Sequence, residues 1–159
     1  MRYCNDSVRR QDRLLEEARA VEILREGEYG FLSMATDEGG YGVPINYAVC
    51  GNIIYFHCAP EGRKMQAVMK NPSVSFCVVG HKRIVAEEFT TEYESVIASG
   101  VARVVESDEE RRQALRLIVE KYSPEHLEQG LQAIERSVHR TAVVAIEVER
   151  LTGKTKMMR

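Results

Sequence analysis

Ile53-Ile-Tyr-Phe-His-Cys-Ala-Pro-Glu-Gly-Arg-Lys-Met-Gln-Ala-Val-Met-Lys-Asn-Pro72 opens as a short apolar strand that runs out on a histidine. A Pro-Glu-Gly turn follows, and the adjacent cations Arg63 and Lys64 then open a helix that Asn71-Pro72 closes. A helix start gathers unpaired backbone N–H groups, the positive end of the helix dipole and, here, two side-chain cations. Arginine can fork two phosphate oxygens, while lysine adds a point charge. The stretch is therefore a candidate place to hold a phosphate beside something flat. By residue type alone it equally fits a basic helix start facing water. His57 ends an alternation with Ile53 and Tyr55 and shares their face; taken alone, it also fits a packed or exposed histidine.

Outward from this stretch, the pattern is one of short strands and flanking helices. Asp12 to Glu26 reads as a helix, with Leu14, Leu15, Ala18, Val21 and Leu24 at helical spacing and Gly27 as its stop. Before it lies the charge cluster Arg9-Arg10-Gln11-Asp12-Arg13, a solvated arm or one reaching a neighbouring subunit. Tyr29 to Thr36 reads as a strand, and Asp37-Glu-Gly-Gly40 as a turn. Gly42 to Val49 reads as one strand whose Pro44 belongs at an edge, bulge or start. Gly51-Asn52 makes the tight turn into the central strand. Val74, Phe76 and Val78 mark another strand, and Gly80-His-Lys-Arg83 a polar loop. Thr91 to Val105 is the longest strand pattern, with the small face Val96, Ala98, Gly100, Ala102 and Val104 suited to the wall of a small barrel.

Ser107-Asp-Glu-Glu110 has the form of a capping box. Ser123-Pro124 starts a further helix with Leu127, Leu131, Ile134 and Val138 on one stripe. Thr141 to Arg150 alternates as a final strand, and Leu151-Thr-Gly-Lys reads as its exit. Hairpins rather than βαβ alternation predict a mainly β, antiparallel barrel with flanking helices, in a single domain over residues 1–159.

Composition narrows the function classes. A net charge of −2 gives no overall field toward nucleic acid or anionic lipid. No apolar run approaches the length of a membrane helix, and the polar N-terminus is not a secretory signal, so a cytoplasmic protein is expected. Cys4, Cys50, Cys58 and Cys77 form no C-x-x-C pair and fit reduced, mostly buried thiols. The histidines His57, His81, His126 and His139 have no metal-ligand spacing, so no metal site is expected. Glu87-Glu88 and Glu109-Glu110 lie in charged runs and are weak candidates for catalysis.

Tyr55-Phe-His-Cys-Ala-Pro-Glu-Gly-Arg-Lys-Met65, with Val43-Pro-Ile-Asn-Tyr47 before it and Asn71-Pro72 after it, resembles the pyridoxamine-phosphate-oxidase-like flavoproteins. Within them it is similar to the Nim-type 5-nitroimidazole-resistance proteins, which share the Arg9–Arg13 arm, the Tyr29-Gly30 strand start and Tyr93-Glu-Ser-Val96 with Gly100. The resemblance implies a split β-barrel binding FMN at a homodimer interface. Arg63 and Lys64 would hold the FMN phosphate, and His57 and Cys58 would lie beside the isoalloxazine. Pro44, Ile45, Asn46 and Tyr47 would offer backbone groups and an amide to the ring. Ser95 stands where true oxidases carry a flavin-contacting glutamine. The oxidases' Trp- and Arg-rich C-terminal segment is missing and the chain has no tryptophan, so oxidation of pyridoxine phosphate is not expected. The implied reaction is reduction of a nitroimidazole or a related small nitroaromatic by an unidentified electron donor, with His57 as proton donor or substrate-orienting group. The alternatives are an FMN-binding protein with little turnover, as reservoir or sensor, and a haem-related role with His57 or His139 as axial ligand.

Overall fold

Residues 1–157 are described in a computed structural model. One eight-stranded sheet forms the body: β1 (Arg2–Tyr3), β2 (Gly30–Thr36), β3 (Gly39–Ile45), β4 (Ala48–Cys50), β5 (Ile53–Cys58), β6 (Ser73–Val85), β7 (Thr90–Val104) and β8 (Ala142–Lys156). Its hydrogen-bonded order is β3-β2-β6-β7-β8-β5-β4, every neighbouring pair antiparallel, with β1 added to β8 in parallel. Helices α1 (Glu17–Glu26), α2 (Arg63–Lys70), α3 (Asp108–Tyr122) and α4 (Leu127–Ser137) flank it.

The connection from β3 to β4 rolls this sheet. β3 and β4 are its opposite edges, yet only Asn46 and Tyr47 separate them. Two residues span on the order of 10 Å at most, so the edges must come together without a ladder between them. The result is a barrel split at one seam. Pro44 lies on the edge strand β3, where a missing N–H costs no ladder bond.

Tyr47 anchors that seam. Its ring is fully buried and packs edge-on against Phe76, and its hydroxyl donates to the Leu24 carbonyl at 2.6 Å. The Tyr122 hydroxyl accepts from the Tyr47 N–H at 3.0 Å and donates to the Glu28 carbonyl at 2.6 Å. Lys121 lies over the Tyr47 ring and donates to the Gly27 carbonyl at 2.7 Å. The ends of α1 and α3 are thus tied to the one point where the chain leaves regular pairing.

Two apolar clusters explain the strand patterns. The barrel interior holds Leu32, Ile54, Phe56, Phe76, Val96, Ala98 and Ile146. A second cluster, Tyr55, Val105, Leu115, Ile134, Val143 and Ala145, lies between the sheet and α3 with α4. Residues 142–146 are therefore buried on both faces and do not alternate between apolar and polar.

Several boundaries differ from the sequence reading. The stretch from Asp12 to Glu26 is not one helix: a 3-10 turn covers Gln11–Arg13 and α1 begins at Glu17. Leu14 bridges to Lys154 and the Leu15 N–H bonds the Gly153 carbonyl, so both leucines are drawn to β8. The buried α1 stripe is Ala20, Ile23 and Leu24, with Ala18 outside it. In the arginine cluster, Arg10 forms an ion pair with Asp12, its Nε 2.7 Å from the carboxylate. Gly42 to Val49 is two strands broken at the seam. The polar loop at Gly80–Arg83 is instead β6, carried past a bulge between Val79 and Lys82. The Leu151–Lys154 exit is the continuation of β8. Val104 is partly exposed and Val105 buried, so the small inward face ends at Ala102. Of the capping box only half forms: Ser107 Oγ accepts from the Glu110 N–H at 3.3 Å. The Glu110 carboxylate accepts from Tyr55 and Arg103 at 2.9 and 2.7 Å.

Candidate functional site

The site is built where β5 ends and α2 begins. Gly62 precedes the helix at φ 113°, ψ 172°, a region essentially reserved for glycine. No side chain caps the helix, and its first recorded backbone bond runs from the Gln66 N–H to the Gly62 carbonyl at 3.1 Å. The N–H groups of Arg63, Lys64 and Met65 have no intrahelical partner by position. The donor set of amides, a guanidinium and an ammonium fits a phosphate.

The two cations point apart. Arg63 stacks over Tyr41 of β3, 4.5 Å from the ring centroid, and pairs with Glu38 at 2.8 Å. Lys64 Nζ lies 5.8 Å from the ring centroid of Phe56 in β5. Both Arg63 and Glu38 are exposed, so an anion could replace Glu38 at little cost, since such surface pairs contribute about 0–1 kcal/mol.

His57 and Cys58 stand at the exit of β5 on opposite faces, as adjacent strand residues must. Tyr55, two residues before His57, joins the helix-side cluster, whereas Phe56 and the half-buried Cys58 pack on the barrel core. His57 is exposed at the strand exit, but the protein atoms crowded around it, and then the charge of Lys64, hold its pKa below 6.5. Burial raises the Cys58 pKa against a smaller opposing effect of Lys64, so Cys58 remains a thiol at neutral pH. The two therefore do not present themselves to one ring face together.

Asn46 is exposed at the seam, and the register that pairs Ala48 with Tyr55 runs back toward Asn46 and His57. Pro44 is exposed, while the Ile45 side chain is buried. The Tyr47 side chain belongs to the core and its amide N–H already has a partner in Tyr122, so Tyr47 is a scaffold residue rather than a free ring contact. Ser95 is not brought to this place within one chain. It pairs with Lys154 near one end of β8, whereas His57 pairs with Val143 at the other, roughly 35 Å along the strand. Ser95 lies on the outer sheet face, near the cross-strand row Phe31, Cys77 and Ile97. Phe31 and Ile97 in that row are exposed.

Sequence reading missed Tyr41 and Glu38, the partners of Arg63. Both lie in or beside a stretch legible only as a turn. Among the described residues, no three His, Cys, Asp or Glu side chains are grouped to hold a metal ion. No helix among them is long and apolar enough to cross a membrane.

No curated protein matches the chain at a significant level. Solved structures do. A candidate 5-nitroimidazole antibiotic resistance protein from Bacteroides thetaiotaomicron superposes with a TM-score of 0.73 at 23% identity, over 90% of this chain and 86% of that one. A flavocytochrome from Azotobacter vinelandii gives 0.77 at 17% identity, covering 90% and 68%. An FAD-binding protein from Mesorhizobium loti gives 0.63 at 21% identity, covering 92% and 97%. At these identities the likeness establishes the fold. The sequence profile of the pyridoxamine 5'-phosphate oxidase family matches residues 16–155, and the chain belongs to that family.

Proposed function

We propose that the protein is an FMN-dependent oxidoreductase that reduces nitroimidazoles or related small nitroaromatics, working as a homodimer with flavin at the subunit interface. The observation that carries this reading is the uncapped start of α2, where Gly62, Arg63 and Lys64 meet the His57 end of β5. Family membership and the flavin-binding structural neighbours support a flavin. The Bacteroides neighbour supports a nitro substrate. FMN is favoured over FAD by charge. A phosphate monoester approaches two negative charges at neutral pH on one group, matching two cations and a helix dipole at one point, whereas the same total charge in FAD is spread over the two phosphates of its pyrophosphate.

Bound FMN would supply the two-electron redox chemistry, which no side chain here can provide. Arg63 would fork the phosphate, Lys64 would add charge, and the first α2 amides would complete the cradle. Asn46 and the Pro44–Ile45 backbone would meet the ring edge. His57, neutral at pH 7, would orient a nitro oxygen through its N–H. That assignment is more specific than the alternatives left open by the sequence, because the lowered pKa disfavours a standing imidazolium. Taking a nitro group to an amine consumes six electrons and six protons and releases two waters, so an external donor must reload the flavin. The exposed row at Phe31 and Ile97 is the natural face for a second copy.

Protein saturated with FMN, freed of excess and heated, is expected to release FMN. The reduced holoprotein, mixed anaerobically with about one-third of an equivalent of a 5-nitroimidazole, is expected to reoxidise with formation of the amine, three reduced flavins supplying its six electrons. Failure to retain flavin, or reduced flavin that survives the nitro compound, would overturn the reading.

A further inference from the structure

The β6–β7 hairpin extends beyond the described part of β8. Among the described residues β8 pairs with β7 as far as Tyr93–Lys156, and Arg83–Glu92, Ile84–Thr91 and Val85–Thr90 carry the hairpin on as an arm. The tip of this arm is apolar and acidic: Ile84 is 79% exposed, Phe89 is 97% exposed, and Glu87 and Glu88 lie between them. Phe89 also holds a left-handed backbone at φ 49°, uncommon for a bulky residue. A large ring kept in that conformation and turned wholly to water gains nothing within its own chain.

A seat of matching chemistry exists at the opposite end of β7. A groove of about 370 Å³ is bordered by Pro60, Met69, Val104, Arg111, His139 and Arg140. Cavities of roughly 150 Å³ already accept benzene, so a phenyl ring fits. Met69 is 73% exposed on its rim. Among the described residues neither Arg140 nor the tip residues Glu87 and Glu88 form an ion pair within 4 Å, although Arg83, paired with Glu92, also feels the charge of Glu87. The groove is apolar and basic where the tip is apolar and acidic.

The tip and the groove of one chain lie far apart, since Phe89 precedes β7 and Val104 ends it, on the order of 50 Å of strand contour. Two copies with their β7 strands antiparallel about a two-fold axis would place each tip at the other's groove. The midpoint between positions 89 and 104 falls at Val96–Ile97. Ile97 is exposed there, beside the exposed Phe31 and Val101, which gives the axis an apolar centre.

We propose that the β6–β7 arm of one copy docks Phe89 and its flanking glutamates into the groove between α2 and the Val138–Arg140 turn of a second copy. This rests on the homodimer reading above. Because Pro60 belongs to the turn that delivers Gly62, the docked arm would brace the phosphate cradle of the other subunit.

The test uses the full chain with Cys50→Ser as background and adds Met69→Cys and Glu88→Cys together or singly, leaving the Phe89 ring in place. A short bismaleimide, whose double bonds each add one thiol, then probes proximity. The account expects a covalent dimer in denaturing gels for the double variant and little for either single variant. Light scattering on the same samples separates the readings. A dimer in solution without the cross-link would overturn the docked arm alone, and a monomer would overturn both.

Discussion

Arg63 and Lys64 are neighbours in the chain but reach opposite strands: Arg63 stacks on Tyr41 in β3, and Lys64 lies against Phe56 in β5. The start of α2 therefore reaches both the edge strand β3 and β5, one strand in from the other edge. A phosphate held there would sit near Asn46, which follows β3, and His57, the penultimate residue of β5.

Gly62 sets the entry to this helix start. A Cβ at Gly62 meets nothing within 4 Å, so Gly62→Ala leaves packing intact but strains the backbone. Such strain is worth about 1–3 kcal/mol. The expected outcome is a folded protein whose FMN affinity, measured by flavin fluorescence quenching, falls about tenfold or more as the turn relaxes.

His57 should titrate below 6.5 in the flavin-free protein, as followed by NMR of its ring protons. FMN phosphate on Lys64 offsets one cause of the depression, so saturation with FMN should raise the value. The folded state holds this proton less tightly than the unfolded chain, and that contribution to stability is lost as pH falls through and below 6.5. His57→Ala should retain FMN yet reduce nitroimidazole at least tenfold more slowly. Full turnover in that variant would remove His57 from the reaction.

Lys121 carries a second titration, away from the flavin. Burial lowers its pKa to about 8 from 10.5. Between those values the unfolded chain binds the proton more readily, so stability should rise with pH from about 8 toward 10. Above that, tyrosines ionise in the unfolded chain more easily than the buried Tyr47 does, and stability should fall. Urea unfolding across this range should show the rise, and Lys121→Met should flatten it.

Gly100 sits opposite the bulge at Glu149 of β8, where a Cβ would come within 2.1 Å of the Glu147 carbonyl oxygen. Gly100→Ala should cost about 2–3 kcal/mol of stability, as overpacking does. Gly40→Ala is the control: it has open space and an ordinary backbone angle, so it should change stability by less than about 0.5 kcal/mol.

The strands and the start of α2 with its two cations were legible in the sequence because each depends on neighbours a few residues apart. The alternation of β5, the Pro-Glu-Gly turn and the Arg63-Lys64 pair all have this local origin. What could not be read depends on long-range geometry. Asn46-Tyr47 looks like the middle of a strand and becomes a seam only because the sheet closes there. Gly80–Arg83 looks like a loop because its charges line an arm with solvent around it. Leu14 and Leu15 carry a helical spacing but are drawn to the far end of β8, a partner about 140 residues away. The distance of Ser95 from His57 likewise appears only once the register across β8 is known.

The central claim is that Arg63 and Lys64 hold the phosphate of FMN. Its direct test is equilibrium titration of FMN into the wild-type protein and into Arg63→Ala/Lys64→Ala, with thermal unfolding to confirm that both are folded. Two charge-assisted contacts at about 1.5 kcal/mol or more each predict a loss of roughly 100-fold in affinity. Riboflavin, which lacks the phosphate, should bind both proteins alike. Equal FMN affinity in the two folded proteins would contradict the assignment.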